Sequence, residues 1–160
     1  MATSNSLDEV LIALRRIMRA VDLHSRSLIQ RYGLTGPQLV ILRELSQLEE
    51  ASGSELARSV SLSLPTVTGI LTRLENRGLI TRKRSETDKR RVLVRPTAEA
   101  ADLLATAPPP LQDSFASQFE TLEDWEQSML LTSLQRVVSM MEAREIDASP
   151  FLTTGSIEQR

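Results

Sequence analysis

Gly78 marks the point where the chain changes from helix-forming to strand-forming sequence. Before it, apolar residues recur at helical spacing and predict two helices at 54–60 and 64–77, capped by Ser54 and Ser63 and joined by about three residues. A glycine directly after the second helix suits the left-handed backbone that ends many helices. After it, residues 79–84 and 91–95 are rich in β-forming residues and predict a hairpin. The centre of the chain is therefore predicted to be a helix-turn-helix followed by a hairpin.

Further helices are predicted on both sides of this centre. An apolar stripe from Leu7 predicts a long first helix that stops at Tyr32 and Gly33, and Thr35 then caps a second helix with Pro37 in its first turn. Later helices are expected at 97–107, 111–119 and 122–143, with a break at Pro108–Pro110. The predicted fold is mainly α with a small β-hairpin. Its expected divisions are a helix at 1–33, a helix-turn-helix and hairpin lobe at 34–96, C-terminal helices at 97–146 and a tail at 147–160.

The composition of the 160 residues argues against several classes of function. With no cysteine and one histidine, His24, we expect no disulfide, no thiolate nucleophile, no thiol redox sensor and no metal site. No nucleophile elbow, phosphate loop or dinucleotide motif occurs, so we expect neither an enzyme nor a cofactor. The N-terminus lacks the features of a signal peptide or membrane span, which predicts a cytoplasmic location without a membrane partner.

Charge is distributed unevenly along the chain. The formal net charge is only −2, but residues 51–95 hold ten Lys and Arg against four Asp and Glu, a net +6. Residues 96–160 hold three against eleven, a net −8. A basic middle segment of this kind is typical of a lobe that meets a polyanion, and double-stranded DNA is the expected partner.

The helix predicted at 64–77 has an unusual outer face. Val67, Ile70, Leu71 and Leu74 share the core side. The opposite side carries Pro65, Gly69, Thr72, Arg73 and Asn76, flanked by Thr66 and Thr68. Glycine costs about 1 kcal/mol of helix propensity relative to alanine, which makes sense where a partner must approach closely. Threonine and arginine suit the base edges of a DNA major groove. The alternative is a solvated face that is merely small and polar.

The hairpin is strongly basic. Seven cations fall within fourteen residues: Arg82, Lys83, Arg84, Lys89, Arg90, Arg91 and Arg95. Alone, such a run is usually a solvated surface, but after a helix-turn-helix it predicts a wing that reaches phosphates and a neighbouring minor groove. Asp88 is expected to clamp a neighbouring guanidinium and so hold the shape of the wing loop.

These motifs closely resemble the MarR family of winged-helix transcription regulators over about residues 7–145. The strongest matches are Thr66-Val67-Thr68, Arg73-Leu74-Glu75, Gly78-Leu79-Ile80 and Asp88-x-Arg90. The resemblance implies a winged helix-turn-helix with N- and C-terminal helical dimerisation regions, a helix in the major groove, and a wing contact by Arg90 supported by Asp88. We expect these residues to contact DNA: Ser63, Pro65, Thr66, Thr68, Gly69, Thr72, Arg73, Arg77, Arg82, Arg84, Lys89, Arg90 and Arg91.

Two features depart from the usual family pattern. The Leu-Thr-x-x-Gly expected after the wing is Pro-Thr-Ala-Glu-Ala at 96–100, and Pro108–Pro110 interrupts a helix that is often continuous. Because of these two departures, the geometry of the dimerisation arm is not predicted from the family pattern. Residues 19–25 and 34–39 also resemble a subgroup of MarR repressors that control compatible-solute (ectoine) synthesis.

The resemblance further implies a homodimer and a small-molecule effector. The apolar stripes of the first and last helices are too extensive for one thin chain to bury, which favours pairing with a second copy through Leu7, Leu11, Leu14, Trp125, Leu130 and Leu134. Arg16, Arg19 and His24 are candidate effector-binding residues. The alternative for His24 is a core histidine paired with a backbone carbonyl or a carboxylate.

The sequence thus predicts a sequence-specific DNA-binding regulator. The expected form is a homodimeric repressor of a pseudo-palindromic operator, modulated by a small molecule or by osmotic or ionic conditions. The alternative is a winged-helix adaptor or anti-repressor that binds protein instead of DNA.

Overall fold

The computed structural model describes residues 2–146, 148 and 150–154, with side chains from residue 6 onward. This described part contains seven helices and three short strands. In chain order they are α1 (Ala2–Tyr32), α2 (Gly36–Leu48), β1 (Ala51–Ser52), α3 (Gly53–Ser59), α4 (Leu64–Asn76), β2 (Ile80–Arg84), β3 (Val92–Pro96), α5 (Ala98–Thr106), α6 (Leu111–Phe119) and α7 (Asp124–Met140). None of these helices has the length and apolar character that crossing a membrane requires.

The chain forms two compact units. The first contains α1 to α5, the three strands and the segment 150–154, and the second begins at Pro109 and contains α6 and α7. The lobe predicted at 34–96 therefore continues into α5, because Ala100 of that helix is fully buried in the core of the first unit. The predicted break at the three prolines is confirmed, since α5 ends at Thr106 and α6 begins at Leu111.

Helix ends in the first unit follow local capping chemistry. Gly33 and Gly78 have φ angles of +63° and +71°, so each ends its helix in the left-handed conformation that glycine tolerates best. The predicted caps Thr35 and Ser63 are confirmed. The cap predicted at Ser54 is wrong, because the N-cap of α3 is Ser52.

Ser52 is the cap because it pairs reciprocally with Glu55. The backbone N–H of Ser52 donates to the Glu55 carboxylate at 2.8 Å, and the backbone N–H of Glu55 donates to Ser52 Oγ at 3.3 Å. This capping box satisfies two backbone donors that a helix start leaves without intrahelical partners.

A three-stranded antiparallel sheet replaces the simple hairpin that was predicted. Its strand order is β1-β3-β2, with Ile80 opposite Pro96 and Arg84 opposite Val92 in the hairpin. The extra strand, β1, pairs Ala51 with Val94 and Ser52 with Leu93. This strand could not be predicted from the sequence because two residues are too few to show an alternating pattern.

The core of the first unit is built around α2. Leu39, Ile41, Leu42 and Leu45 of this helix are completely buried, and they belong to one cluster with the inner faces of α3 and α4. Each fully buried leucine contributes about 1.5–3 kcal/mol relative to an exposed one. This cluster packs the inner face of α4 against the rest of the lobe, so the opposite face of α4 lies at the surface.

Part of the predicted tail also belongs to this core. Phe151 is only 6% exposed and lies in the same apolar cluster. The backbone N–H of Thr154 donates to Ser25 Oγ on α1 at 3.1 Å. The segment 150–154 therefore packs on the first unit, although the sequence there has no periodicity.

The second unit consists of α6 and α7. The rings of Phe115 and Phe119 stack with centroids 5.8 Å apart, and the Gln127 side chain donates to the carbonyls of Phe119 and Leu122 between the two helices. Helix α7 begins after the predicted residue 122 because Glu123 is its N-cap, and the backbone N–H of Glu123 donates to the Glu126 carboxylate at 2.9 Å. It ends at Met140, before the predicted residue 143.

Candidate nucleic-acid interface

Helix α4 is capped at its N-terminus and packed into the core along its inner face. Ser63 Oγ accepts the backbone N–H of Thr66 at 3.2 Å, and Pro65 occupies the first turn, where a missing N–H has no cost. On the inner face, Val67 and Leu74 are completely buried. The outer face of α4 is therefore presented on a fixed support.

The outer face of α4 is open and small. Pro65, Thr68, Thr72 and Asn76 are exposed, and a Cβ added to Gly69 would meet nothing within 4 Å. Nothing inside the described chain therefore requires a glycine at position 69. A partner outside this chain that approaches the backbone closely would account for the helix-propensity cost of Gly69, about 1 kcal/mol.

The threonines on this face already use their hydroxyl protons. Thr68 Oγ1 donates to the Leu64 carbonyl at 2.8 Å, and Thr72 Oγ1 donates to the Thr68 carbonyl at 2.9 Å. A partner in front of α4 therefore meets their methyl groups and remaining lone pairs. The hydroxyls of Ser63 and Thr66 lie 2.7 Å from each other within the cap.

Arg77, predicted to contact DNA, has its guanidinium directed at α1. Its Nη1 donates to the Gly33 carbonyl and its Nη2 to the Tyr32 carbonyl, the latter at 3.0 Å. These two acceptors lie at the C-terminal end of α1, where carbonyls lack intrahelical partners. The observed contacts give Arg77 a structural task, joining the ends of α1 and α4. Its contact with DNA stays a prediction.

Asp88 holds the wing loop, but not in the way that was expected. Its Oδ1 accepts the backbone N–H of Arg90 at 3.0 Å, and its carbonyl accepts the N–H of Arg91 at 2.9 Å. Ser85, which is buried, receives the N–H of Asp88 on its Oγ. The expected clamp on a guanidinium is wrong among the described contacts: Asp88 forms a side-chain-to-backbone turn instead.

The wing cations divide into two groups. Arg82, Arg91 and Arg95 form ion pairs with carboxylates outside the wing, namely Glu75 of α4, Glu55 of α3 and Glu50 before β1. In the described part of the chain no ion pair involves Lys83, Arg84, Lys89 or Arg90, which are all exposed. The second group, with Arg90 at the loop, is the one available to an anionic partner.

Three carboxylates that pair with the wing arginines were not among the predicted site residues: Glu50, Glu55 and Glu75. Glu55 has the strongest signature: hydrogen bonds from Ser52, together with Arg91, lower its pKa to about 2. The spacing of Ser52 and Glu55, three residues apart before an apolar run, is the signal that could have identified this pair. The pairing of Glu75 with Arg82 depends on the tertiary fold.

The candidate effector residues are not brought together. An open groove of about 630 Å³ along α1 contains Arg19 with Ile17, Met18 and Val21, and the tail residues Thr153 and Thr154 border it. Neither Arg16 nor His24 lines this groove. Arg19 instead pairs with Asp22 at 3.3 Å.

His24 is a partly buried residue of α1 whose Nε2 has no hydrogen-bond partner among the described residues. Burial lowers the pKa of its imidazole. At this nitrogen, the alternative of a core histidine paired with a carbonyl or a carboxylate is therefore not observed. No cluster of His, Asp or Glu in the described residues could hold a metal ion.

The candidate dimerisation residues are largely exposed in the single chain. Leu7 and Leu11 on α1 and Leu130 and Leu134 on α7 are exposed, Leu14 is half-buried, and Trp125 is 64% exposed. Large apolar side chains left outside both units are typical of surfaces that another chain covers.

Comparisons with known proteins identify similar sequences and a similar fold. The sequence model of the MarR family matches residues 34–92. The chain is 28% identical over 141 residues to the homoprotocatechuate degradative operon repressor of Escherichia coli, covering 88% of this chain and 95% of that protein. It is 34% identical over 110 residues to the transcriptional regulator HosA of Escherichia coli O111:H-, covering 69% and 79%. The fold is similar to that in an S. aureus MepR–DNA complex, with a TM-score of 0.59, 20% identity and coverage of 81% and 96%.

Proposed function

The chain belongs to the MarR family of DNA-binding transcription regulators, and we propose that it acts as a homodimeric repressor that covers a pseudo-palindromic operator. Membership of this family assigns the chain to transcription regulation and not to an enzyme class. The relative from Escherichia coli that matches 88% of this chain is itself an operon repressor. Repression by this chain would follow from occlusion of a promoter.

The observation that carries the proposal is the joint presentation of α4 and the wing on one unit. The outer face of α4 offers the methyl groups of Thr68 and Thr72 around the open backbone at Gly69. The wing offers exposed cations around Arg90. In winged-helix DNA binding, a helix contacts the base edges while neighbouring cations contact the phosphates, and this unit presents both kinds of group.

Dimerisation is supported by the exposed apolar side chains of α1 and α7. Burying Leu7 and Leu11, or Leu130 and Leu134, against a second copy would remove apolar surface from water, at about 25 cal/mol per Å². Trp125, exposed at the start of α7, would supply the largest apolar anchor. Two-fold symmetry would then place two copies of α4 on half-sites about 10 base pairs apart.

We further propose that a small molecule or ionic conditions regulate this dimer. A ligand acts on such a dimer only if it binds one spacing of the two α4 helices more tightly than another. Arg19 is the candidate effector residue that lies in a groove. The compatible-solute subgroup stays a prediction.

Selection from a pool of random DNA duplexes tests the proposal. The wild-type chain should enrich sequences with two inverted half-sites about one helical turn apart, and two chains should bind each enriched duplex. Absence of enrichment, together with salt-insensitive capture of a protein, would favour the adaptor function. Enriched sites without inverted symmetry, bound by single chains, would contradict the homodimer.

A further inference from the structure

Arg82 on β2 contacts two side chains of α4. Its Nη2 donates a hydrogen bond to Thr72 Oγ1 at 3.0 Å. Its Nε lies 3.1 Å from Glu75 Oε2, an ion pair that lacks hydrogen-bond geometry. The Arg82 side chain is only 25% exposed. The guanidinium therefore joins the base of the wing to the helix whose outer face is proposed to meet DNA.

Glu75 is unfavourable for DNA binding if charge alone is considered. Its side chain is 41% exposed and lies on α4, beside the surface that would approach the phosphates. A carboxylate there repels a polyanion. Its observed partner, Arg82, gives it a different role, since the pair fixes one strand of the wing against α4.

We propose that Glu75 and Arg82 form a latch that sets the position of the wing relative to α4 and thereby determines how strongly the protein discriminates between DNA sequences. The inference rests on the proposed DNA-binding function and deepens it. Two recognition elements that must contact neighbouring grooves together bind more tightly when their relative position is fixed before binding. Arg82 is accordingly a positioning residue, while Arg90 and its exposed neighbours contact the phosphates.

The Thr72 hydroxyl completes the latch. It donates its proton to the Thr68 carbonyl and accepts the hydrogen bond from Arg82. Thr72 thereby loses hydrogen-bonding capacity toward a base edge and keeps its methyl group. A single change in the latch should therefore disturb both the wing and the contact surface of α4.

A pair of charge-matched variants separates the latch from a simple charge effect. Glu75→Gln removes the carboxylate that faces Arg82, and Glu86→Gln removes a carboxylate of the wing loop that has no ion pair among the described residues. Binding is measured by fluorescence anisotropy on a duplex selected by the wild-type chain from a random pool, and on a scrambled duplex of the same composition. Charge alone predicts equal or tighter binding by both variants.

The latch predicts a different result for Glu75→Gln. This variant should bind the selected duplex about tenfold more weakly than the wild type, and the scrambled duplex no more weakly. Glu86→Gln should bind both duplexes at least as tightly as the wild type. Equal or tighter binding of the selected duplex by Glu75→Gln would overturn the inference.

Arg82→Gln provides the double-mutant cycle. If the latch holds, Arg82→Gln weakens selected binding to the same extent as Glu75→Gln, and the double variant is no weaker than either single variant. If Arg82 instead contacts phosphates, its loss weakens binding to the scrambled duplex as well and its effect adds to that of Glu75→Gln. Additive effects would overturn the inference.

Amide hydrogen exchange tests the latch without DNA. The amides of β2 and β3 should exchange faster in Glu75→Gln than in the wild type or Glu86→Gln, while those of α2 stay unchanged. Unchanged exchange in the wing would overturn the latch. Failure of the wild-type chain to select any duplex would instead contradict the proposed function, and the exchange comparison would still decide whether Glu75 holds the wing.

Discussion

Arg91 Nη2 donates a hydrogen bond to Glu55 Oε1 at 2.7 Å, which joins the end of the wing loop to the first turn of α3. The same carboxylate accepts the backbone N–H and the hydroxyl of Ser52 through its other oxygen. One side chain thus caps a helix of the helix-turn-helix and also fixes the wing. Because both contacts favour the ionised carboxylate, they depend on pH.

Glu55 should make the stability of the first unit fall in acid. Its pKa is about 2 in the folded chain against an ordinary value of 4.5, so its contribution is complete above about pH 4.5 and is lost as pH falls from there toward 2. Glu55→Gln should cost about 1 kcal/mol at pH 7, mainly through the cap, and less at pH 3. Urea unfolding of both proteins at the two pH values measures this. A difference between them that is independent of pH would contradict the assignment.

Thr68 should distinguish bases through its methyl group. Its hydroxyl proton is donated to the Leu64 carbonyl, so an apolar contact with a thymine methyl is the expected contribution. Thr68→Val, which keeps a methyl group in the same position, should retain the base preference of the wild type. Thr68→Ala should lower discrimination at one position of each half-site by about 1 kcal/mol. Competition binding with single-base variants of a selected duplex checks this, and loss of the preference in Thr68→Val would show that the hydroxyl is the reading group.

Phe151 should stabilise the lobe that carries α4. Its side chain is 6% exposed in the core, whereas the neighbouring Leu152 is 47% exposed. Phe151→Ala should therefore lower the free energy of unfolding by about 3 kcal/mol, and Leu152→Ala by less than about 0.5 kcal/mol. Urea titration followed by circular dichroism measures both values. Equal, small effects would mean that the segment 150–154 is not part of the core in solution.

Local sequence patterns were sufficient for the framework of the lobe. Ser63, Gly78 and Thr35 identify helix ends because capping depends on a few neighbouring residues. Strand β1 could not be predicted, since Ala51 and Ser52 become a strand only through pairing with β3. The position of Phe151 could not be predicted either, because a single buried aromatic residue in a non-periodic segment has no local signature.

The candidate site shows the same limit. The sequence placed the basic residues in the wing, but it could not separate the paired Arg82 and Arg91 from the exposed Arg90. That distinction depends on Glu75 and Glu55, which the fold brings to the wing from other elements. The direction of Arg77 toward Gly33 likewise joins residues 44 positions apart.

The salt dependence of DNA binding by Arg90→Ala tests the central claim most directly. Each lysine or arginine that neutralises a phosphate contributes about 0.9 to the slope of log K against log salt concentration. Arg90→Ala should weaken binding to selected and scrambled duplexes alike and reduce that slope by about one for each wing engaged. The control Arg136→Ala, which removes an exposed cation from α7, should leave the slope unchanged. An unchanged slope and affinity for Arg90→Ala at physiological salt would contradict the assignment of the wing as a DNA-binding element.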